Sequence, residues 1–260
     1  MGYRRRTWLA IDRQKAGYRK TMRPVFMKAL EDQIAPLYAV INQATNITHV
    51  EVPQLSDEAI RTAYKRLYFS TAADFARQDR RASKSRAGIE ILKNEEQMMD
   101  DIIARKIEEY LATEIGTTIT AIGDTSEVLL KRLLDDLIPE IIDQGIGGGA
   151  AQTMLRDQIK SQWHKARYFR TERIVRTEVN RAANWGSLEG VKSTEFPHDK
   201  VWMSSFAATS RAGHMAADNQ KVDINEMFDI DGEDLQYPGD PGGSASNTIN
   251  CLCSLTYEIK

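Results

Sequence analysis

Residues 168–190 read YFRTERIVRTEVNRAANWGSLEG, and this stretch decides the predicted fold. Apolar side chains recur at helical spacing and predict a helix packed against a core. The opposite stripe contains threonine and asparagine, which form helices less readily than the residues usual on an exposed face. We therefore expect neighbouring segments to hold this polar stripe. It comprises Arg173, Thr177, Asn180 and Asn184, and the apolar stripe comprises Val175, Val179, Ala182 and Ala183.

Length and composition limit the classes of protein to consider. The 260 residues can form one large domain or two modest ones, and the formal net charge of -2 makes any nucleic-acid contact a local one. A stretch of about 18 apolar residues, as a membrane span requires, does not occur, and the basic start lacks the apolar part of a secretory signal. We expect a soluble protein made in a cytoplasm, with no membrane partner.

Basic residues dominate the first 28 positions, where Asp12 is the single acid. We predict that residues 1–50 form a basic arm followed by a helix. The arm is either a poorly ordered, solubilising terminus or a segment that contacts phosphate or an acidic protein surface. Its candidate DNA-binding or partner-binding residues are Arg4, Arg5, Arg6, Arg13, Arg19 and Lys20.

Residues 51–144 have the periodicity of a helical stalk. One helix is predicted from Ser56 to about Ala76, a second over residues 94–121 and a third from about residue 125 to Asp143. Gly116 and the positions up to residue 123 form either a turn or a continuation of the second helix. A second basic cluster is either a solvated face or a contact for the DNA backbone. Its members are Arg77, Arg80, Arg81, Lys84 and Arg86.

Residues 145–260 form the third predicted region. The glycine-rich run at 145–149 predicts a hinge, and no Gly-Lys-Ser/Thr follows it to make a phosphate loop. Next comes a helix over residues 150–163, followed by the helix quoted above. Strand character at 201–206 and 256–260 predicts two short paired strands, with a tight turn at 218–220. Asp240 precedes a proline, and we expect it to cap a helix or pair with Arg176 or Arg211.

His214, Cys251 and Cys253 form the one candidate metal site. A histidine and two thiolates are acceptable zinc ligands, and Asp218 or Asp223 could complete the set. The alternative is a buried histidine that donates a hydrogen bond beside two small reduced cysteines. A disulfide framework is not expected, because a single residue separates the two cysteines.

The order of motifs from Gly145 onward resembles the C-terminal domain of the MuF-like phage minor head, or head morphogenesis, proteins. Leu252, Asn219 and Ser210 depart from the usual pattern of that family. The motifs are Gly145-Ile-Gly, Ile174 to Gly186, Trp202, Thr209 to His214, Asp218 to Val222, Tyr237-Pro-Gly-Asp-Pro241 and Ile249-Asn-Cys-Leu-Cys253.

The resemblance implies a minor capsid protein inside the virion, near the portal vertex, that assists head assembly and DNA packaging, retention or ejection. Its implied partners are the portal ring, capsid or scaffold proteins, and DNA through phosphate contacts. The expected fold is mainly α, with an elongated helical N-terminal region and a small α+β C-terminal domain. The motif residues implied to be structural are Arg173, Arg176, Thr177, Glu178, Asn180, Asn184, Gly186, Trp202, Arg211, His214, Asp218, Pro238, Asp240, Pro241, Asn250, Cys251 and Cys253.

Enzymatic activity is not expected from the sequence. Gly-x-Ser-x-Gly and His-Glu-x-x-His motifs are missing. Related head domains are sometimes fused to toxin enzymes, and we expect no such catalytic domain after the last strand of this sequence. We expect no catalytic residues, no small-molecule substrate and no cofactor besides the zinc that the three-residue site could hold. Two alternatives are a stand-alone, nonspecific DNA-binding module and a zinc-dependent hydrolase.

A bracing role is the remaining prediction for the helix quoted first. We expect Arg176, Thr177, Glu178 and Asn180 to hold residues 209–214 and the cysteine-bearing end of the chain against this helix.

Overall fold

The computed structural model describes residues 3–260, so the first two positions of the predicted arm lie outside the described residues. A mainly α fold with short strands near the C-terminus is confirmed. The helices are α1 Tyr3–Gln43, α2 Glu58–Arg86, α3 Lys93–Ala112, α4 Glu114–Asp143, α5 Gly148–Lys192, α6 Ala212–Ala216 and α7 Ala245–Thr248, with a 3₁₀ turn at Ile47–His49. The strands are β1 His198–Met203, β2 Lys221–Asp223, β3 Phe228–Ile230, β4 Glu233–Leu235 and β5 Ser254–Ile259.

The chain divides into two compact units. Within the described residues, unit 1 contains 3–22, 64–112 and 173–260, and unit 2 contains 23–63 and 113–172. Helices α1, α2 and α5 each contribute residues to both units. The unit boundaries therefore do not coincide with the predicted divisions after residues 50 and 144.

Unit 2 is helical, and its core comes from one face each of α1, α4 and α5. A buried polar contact lies among the apolar residues, where the Ser126 hydroxyl donates to Gln33 Oε1 at 2.7 Å. The Gln33 amide donates in turn to Asp57. The fully buried apolar side chains include Phe26, Leu30, Ile34, Leu37, Ile41, Leu130, Ile141, Leu155, Ile159 and Trp163.

The predicted N-terminal arm is a helix throughout its described length. Pro24 and Pro36 lie inside α1, although an interior proline removes a backbone hydrogen bond and normally breaks a helix. Buried contacts compensate, because Trp8 and Met22 enter the core of unit 1 and Phe26 enters that of unit 2. The alternative of a poorly ordered terminus is therefore wrong for residues 3–43.

Two other helices are longer than their local sequence indicates. Helix α4 begins at Glu114 and continues through Gly116 and Gly123, so this stretch is neither a turn nor a continuation of the second predicted helix, which ends at Ala112 as α3. A side chain at Gly123 would lie 2.6 Å from the Asp57 carboxylate, so this glycine permits close packing inside unit 2. The two helices predicted over 150–163 and 168–190 are one helix, α5. The glycine-rich run separates α4 from α5, and Gly145 and Gly148 adopt φ values of 70° and 57° there, while its action as a hinge stays a prediction.

Helices α2 and α5 approach each other closely in unit 1. A β-carbon built at Gly186 would lie 2.2 Å from the carbonyl oxygen of Ala72, and one at Gly190 would lie 2.1 Å from that of Ala76. Neither distance leaves room for a side chain. Trp185 stacks on Tyr110 of α3 with ring centroids 4.6 Å apart, which fixes the neighbouring face of α5.

The strands of unit 1 form a three-stranded antiparallel sheet in the order β2-β1-β5. The predicted pairing of the two main strands is confirmed, with Trp202 opposite Leu255. The turn at 218–220 is also confirmed, and Asn219 adopts a φ of 72° within it. Strands β3 and β4 form a separate two-stranded hairpin. Hydrogen bonds from Asn184 and Ser187 place β5 beside α5.

Replacing Gly186 with alanine tests the close approach of α2 and α5. We expect Gly186→Ala to lower the free energy of unfolding by about 1–3 kcal/mol, because the added methyl group overlaps the backbone of Ala72. Gly17→Ala is the matched control, since Gly17 lies in α1 with nothing within 4 Å, and it should stabilise the helix by up to about 1 kcal/mol. Urea denaturation measures both changes. Equal stability of the two variants would contradict the packing.

Candidate functional site

Helix α5 buries a polar face in unit 1. Thr177, Asn180 and Asn184 are buried, so the prediction that neighbours hold the polar stripe is confirmed at these three positions. It is wrong at Arg173, which is exposed. The buried set also includes Glu178 and Arg181, and we call these five buried residues the polar face of α5.

Glu178 and Arg181 form a buried ion pair within this face. Arg181 Nη1 donates to Glu178 Oε1 at 2.8 Å, and Arg181 Nε donates to the carbonyl of Gly239 at 2.7 Å. Burial raises the pKa of the Glu178 carboxyl, while the charge of Arg181 opposes that rise. The prediction that Glu178 holds residues 209–214 is wrong, since its partners are Arg181 and the hydroxyl of Tyr68.

The amide of Asn184 joins α5 to two separate segments. Its Nδ2 donates to the carbonyl of Pro238 at 2.9 Å and to that of Cys253 at 3.1 Å, and its Oδ1 accepts from the Leu255 N–H at 3.3 Å. Both loop segments need these bonds, because an unpaired buried backbone group is costly. The amide therefore fixes the Pro238 loop and the start of β5 on one helix.

Lys15 of α1 contacts the same polar face. Its buried Nζ donates to Asn180 Oδ1 at 2.7 Å and to Ser254 Oγ at 2.9 Å. Burial lowers the pKa of Lys15 to about 8, against the raising effect of the nearby cysteines. Trp8 adds a second link, because its Nε1 donates to the carbonyl of Leu252 at 3.0 Å. The first turns of α1 are thus part of the site's framework.

The cysteine-bearing loop consists of residues 249–253. Thr177 Oγ1 accepts from the N–H of Asn250 at 3.0 Å, and Asn250 adopts a φ of 59°. This left-handed conformation suits asparagine better than most residues. The hydrogen bond attaches the loop to α5, as the predicted bracing role requires of Thr177.

His214 and the two cysteines come together at this loop. The Nδ1 atom of His214 lies 3.3 Å from Cys253 Sγ and 3.6 Å from Cys251 Sγ. One ligand atom from each residue lies within 4.8 Å of the others, and all three side chains are buried. The ring of Trp202 meets the imidazole edge-on at 5.7 Å between centroids. One nitrogen and two sulfurs at these separations could hold a metal ion.

Neither aspartate proposed as a fourth ligand belongs to this cluster. Asp218 accepts from the Arg4 guanidinium and from the N–H of Ser204. Asp223 forms an ion pair with Lys260. Each carboxylate therefore serves a local contact instead.

The two thiols differ in acidity because they are hydrogen-bonded to each other. The bond from Cys253 lowers the pKa of Cys251 well below its usual value, and His214 acts in the same direction. The same bond, together with burial, raises the pKa of Cys253. Cys251 is therefore the thiol that more readily becomes a thiolate, which is the form that binds metals.

The predicted pairing of Asp240 with an arginine does not occur. The Asp240 carboxylate accepts from the backbone N–H of Gln236 at 2.7 Å and of Gly242 at 2.9 Å. Short aspartate side chains often satisfy nearby backbone groups in this way, and the local turn takes precedence over a distant cation. Arg211 donates instead to the carbonyl of Ile249. Pro241, next in the chain, is half-buried.

The second basic cluster is largely neutralised by acids of α3. Arg77 and Arg80 both pair with Asp100, and Arg80 is almost fully buried. Arg81 pairs with Glu96 and Lys84 with Glu95, while Arg86 donates to the carbonyl of Tyr257. The prediction that this cluster is a DNA contact or a solvated face is wrong for the buried members, because their charges bind α3.

The six basic residues of α1 that were predicted to contact DNA or a partner fall into two groups. Arg4 and Arg19 pair with Asp218 and Asp12. The others are exposed, with no ion pair among residues 3–260, and three of them recur every seven residues on one face of the helix. The exposed residues are Arg5, Arg6, Arg13 and Lys20.

Sequence reasoning missed Lys15, Arg181 and Trp8 as parts of the site. Lys15 lies in a run of exposed cations, which hides its burial. Arg181 follows Glu178 at the i, i+3 spacing of a helical ion pair, and this spacing is the one signal that could have identified it.

Comparisons with known proteins give one partial relative. No family model matches the chain, and no solved structure matches it. Over 98 residues the chain is 31% identical to the NAD(+)–arginine ADP-ribosyltransferase EFV of Enterococcus faecalis (strain ATCC 700802 / V583). The matched segment is 36% of this chain and 20% of that protein, so the chain spans about a fifth of the relative's length.

This match corrects the expectation that the chain is not an enzyme. The relative is named as a transferase. Because the chain shares part of its sequence with that protein, the expectation that it has no catalytic activity is not supported. The helices within residues 3–260 include none that is long and apolar enough to span a membrane.

Breaking the Glu178–Arg181 pair tests the polar face of α5. We expect Arg181→Met to lower the free energy of unfolding by about 3–5 kcal/mol, because it leaves a buried carboxyl without its cation. The raised pKa of Glu178 favours the protonated form on folding, so the loss should be smaller at pH 5 than at pH 8.

The double variant Glu178→Gln with Arg181→Met is the control for this prediction. It should recover most of the stability and lose the pH dependence, since no buried charge remains. Denaturant titrations at the two pH values measure both effects. Equal destabilisation by Arg181→Met at pH 5 and pH 8 would contradict an unpaired buried carboxyl.

Proposed function

We propose that the protein is a phage minor capsid, or head morphogenesis, protein that acts inside the head near the portal. The observation that carries this proposal is the ordered series of motifs from Gly145 to Cys253. The geometry supports it, because motif residues that are distant in sequence meet on α5: Thr177 bonds Asn250, and Asn184 bonds Pro238 and Cys253. Such mutual contacts are expected of motifs that define one domain.

The proposed partners are the portal ring, capsid or scaffold proteins, and DNA. Arg6, Arg13 and Lys20 supply the DNA contact in this proposal, since they are exposed on one face of α1. They extend over about 21 Å of helix, long enough to meet several phosphates of one strand. Assistance with packaging, retention or ejection of DNA follows from a basic face of this kind at the portal vertex.

Neutralising this basic face tests the DNA contact. In the triple variant Arg6→Gln, Arg13→Gln, Lys20→Gln, the negative slope of log K against log salt concentration should become shallower by about 3. The control Arg61→Gln, Lys65→Gln, Arg66→Gln removes the same charge from exposed positions of α2 and should leave the slope unchanged. Fluorescence anisotropy with a duplex of arbitrary sequence measures the slopes. Equal slopes for the two triple variants would contradict the assignment.

Co-purification with a portal ring tests the capsid role itself. The full chain should bind the assembled ring, and the control triple variant should bind it equally well. A stand-alone DNA-binding module would instead bind DNA equally well and fail to bind the ring. That result would overturn the proposal in favour of its alternative.

We further propose that the ion held by His214, Cys251 and Cys253 is a structural zinc. Zinc accepts one imidazole and two thiolates, and the depressed pKa of Cys251 favours the ligating form. Metal analysis of the purified protein should find close to one zinc per chain, and His214→Ala should lose it. A zinc-dependent hydrolase would in addition lose a hydrolytic activity with the metal.

ADP-ribosyl transfer is the second candidate function, favoured by the 31% identity to the Enterococcus transferase over 98 residues. The two candidates are compatible, since head domains of the MuF-like family are sometimes fused to toxin enzymes. The assay for transfer incubates the protein with labelled NAD⁺ and an arginine-rich acceptor protein. Transfer of label to the acceptor would establish the activity, and absence of transfer would remove this candidate.

A further inference from the structure

A cavity of about 300 Å³ lies beside the cysteine-bearing loop. We call it the arginine pocket and define it by Arg176, Ser205, Thr209, Arg211 and His214, which line it. Two guanidinium groups contribute to its wall, and no carboxylate does. The arginines therefore give the wall of the pocket a positive charge.

Arg176 has no acidic side chain as a partner among the described residues. It is half-buried, its Nε is shielded from solvent without a hydrogen-bond partner, and it has no ion pair among the described residues. Elsewhere in unit 1, the buried arginines Arg80 and Arg181 each hold a carboxylate. Removing a guanidinium from water without a counter-charge is costly, so the position of Arg176 favours an anionic ligand.

Arg211 provides the second cation. One of its Nη atoms donates to the carbonyl of Ile249, which keeps the side chain beside the cysteine-bearing loop. Within residues 3–260 its charge is not matched by a carboxylate at ion-pair distance. Two guanidinium groups on one cavity, neither of them neutralised, suit a ligand with two negative charges.

His214 is an independent sign of a ligand. Only 2% of this residue is exposed, and it lines the pocket. Its Nδ1 faces the two thiols, whereas its Nε2 is buried and has no partner. A buried ring nitrogen without a partner is uncommon in a native protein, and a bound polar group would satisfy it.

We propose that the arginine pocket binds a phosphate group, either as inorganic phosphate or as the phosphate of a small monoester. Guanidinium groups match the geometry of phosphate oxygens with paired hydrogen bonds, and the hydroxyls of Ser205 and Thr209 add neutral donors. The cavity is at the lower end of the range for small-molecule sites, which suits a phosphate with a small substituent. The site does not depend on the capsid role or on transferase activity.

Calorimetric titration of the full-length protein with inorganic phosphate tests the proposal, with sodium chloride at matched ionic strength as the reference. Arg176→Gln and Arg211→Gln should each weaken phosphate binding about tenfold or more. Arg173→Gln is the matched control, because Arg173 is exposed on the same helix, and it should bind phosphate within about twofold of the natural chain. Circular dichroism and melting without phosphate establish that each variant is folded.

Competition experiments identify the source of the phosphate group. Glycerol 3-phosphate should displace inorganic phosphate if the pocket admits a small monoester, and glycerol, which lacks the phosphate, should not displace it. Displacement by neither compound, with phosphate binding intact, assigns the site to free phosphate. The proposal is overturned if the natural chain does not bind phosphate, or if the folded Arg176→Gln and Arg211→Gln variants bind it unchanged.

Discussion

The buried amide of Asn184 is the contact on which the C-terminal part of unit 1 depends. Its side chain forms hydrogen bonds with backbone groups of Pro238, Cys253 and Leu255, which belong to two separate segments of the chain. Both segments would leave costly unpaired groups in the interior without it. Asn184 can therefore be buried on this helix because two loops bring their backbone groups to it.

The polar face of α5 also explains why the chemically distinctive residues lie together. Thr177 anchors the cysteine-bearing loop, and the loop then carries Cys251 and Cys253 to the ring of His214. The same placement leaves Arg176 and Arg211 around one cavity. The candidate metal site and the arginine pocket are thus two consequences of a single attachment of the loop to the helix.

The basic residues show that the sequence alone does not determine whether a charged side chain is exposed or paired. Arg77, Arg80 and Arg81 resemble a basic surface in sequence, yet they meet acids of α3 in the fold. Lys15 lies in an equally basic run and is buried among neutral oxygens. The cations that stay free are those with no acid within reach, and sequence spacing does not show which ones they are.

The sequence by itself determined the mainly α class, the break between helices at the glycine-rich run, the pairing of β1 with β5 and the turn at Asn219, because periodicity and turn chemistry are local properties. It also determined that the polar stripe of α5 needed partners. Only the tertiary structure decided that α1 continues through two prolines, that Asp240 caps its own turn, and that Arg181, not Arg176, pairs with a buried carboxylate. Those outcomes depend on contacts between residues far apart in the chain. The free energies of packing and ion pairing determine these contacts, and local sequence patterns do not encode them.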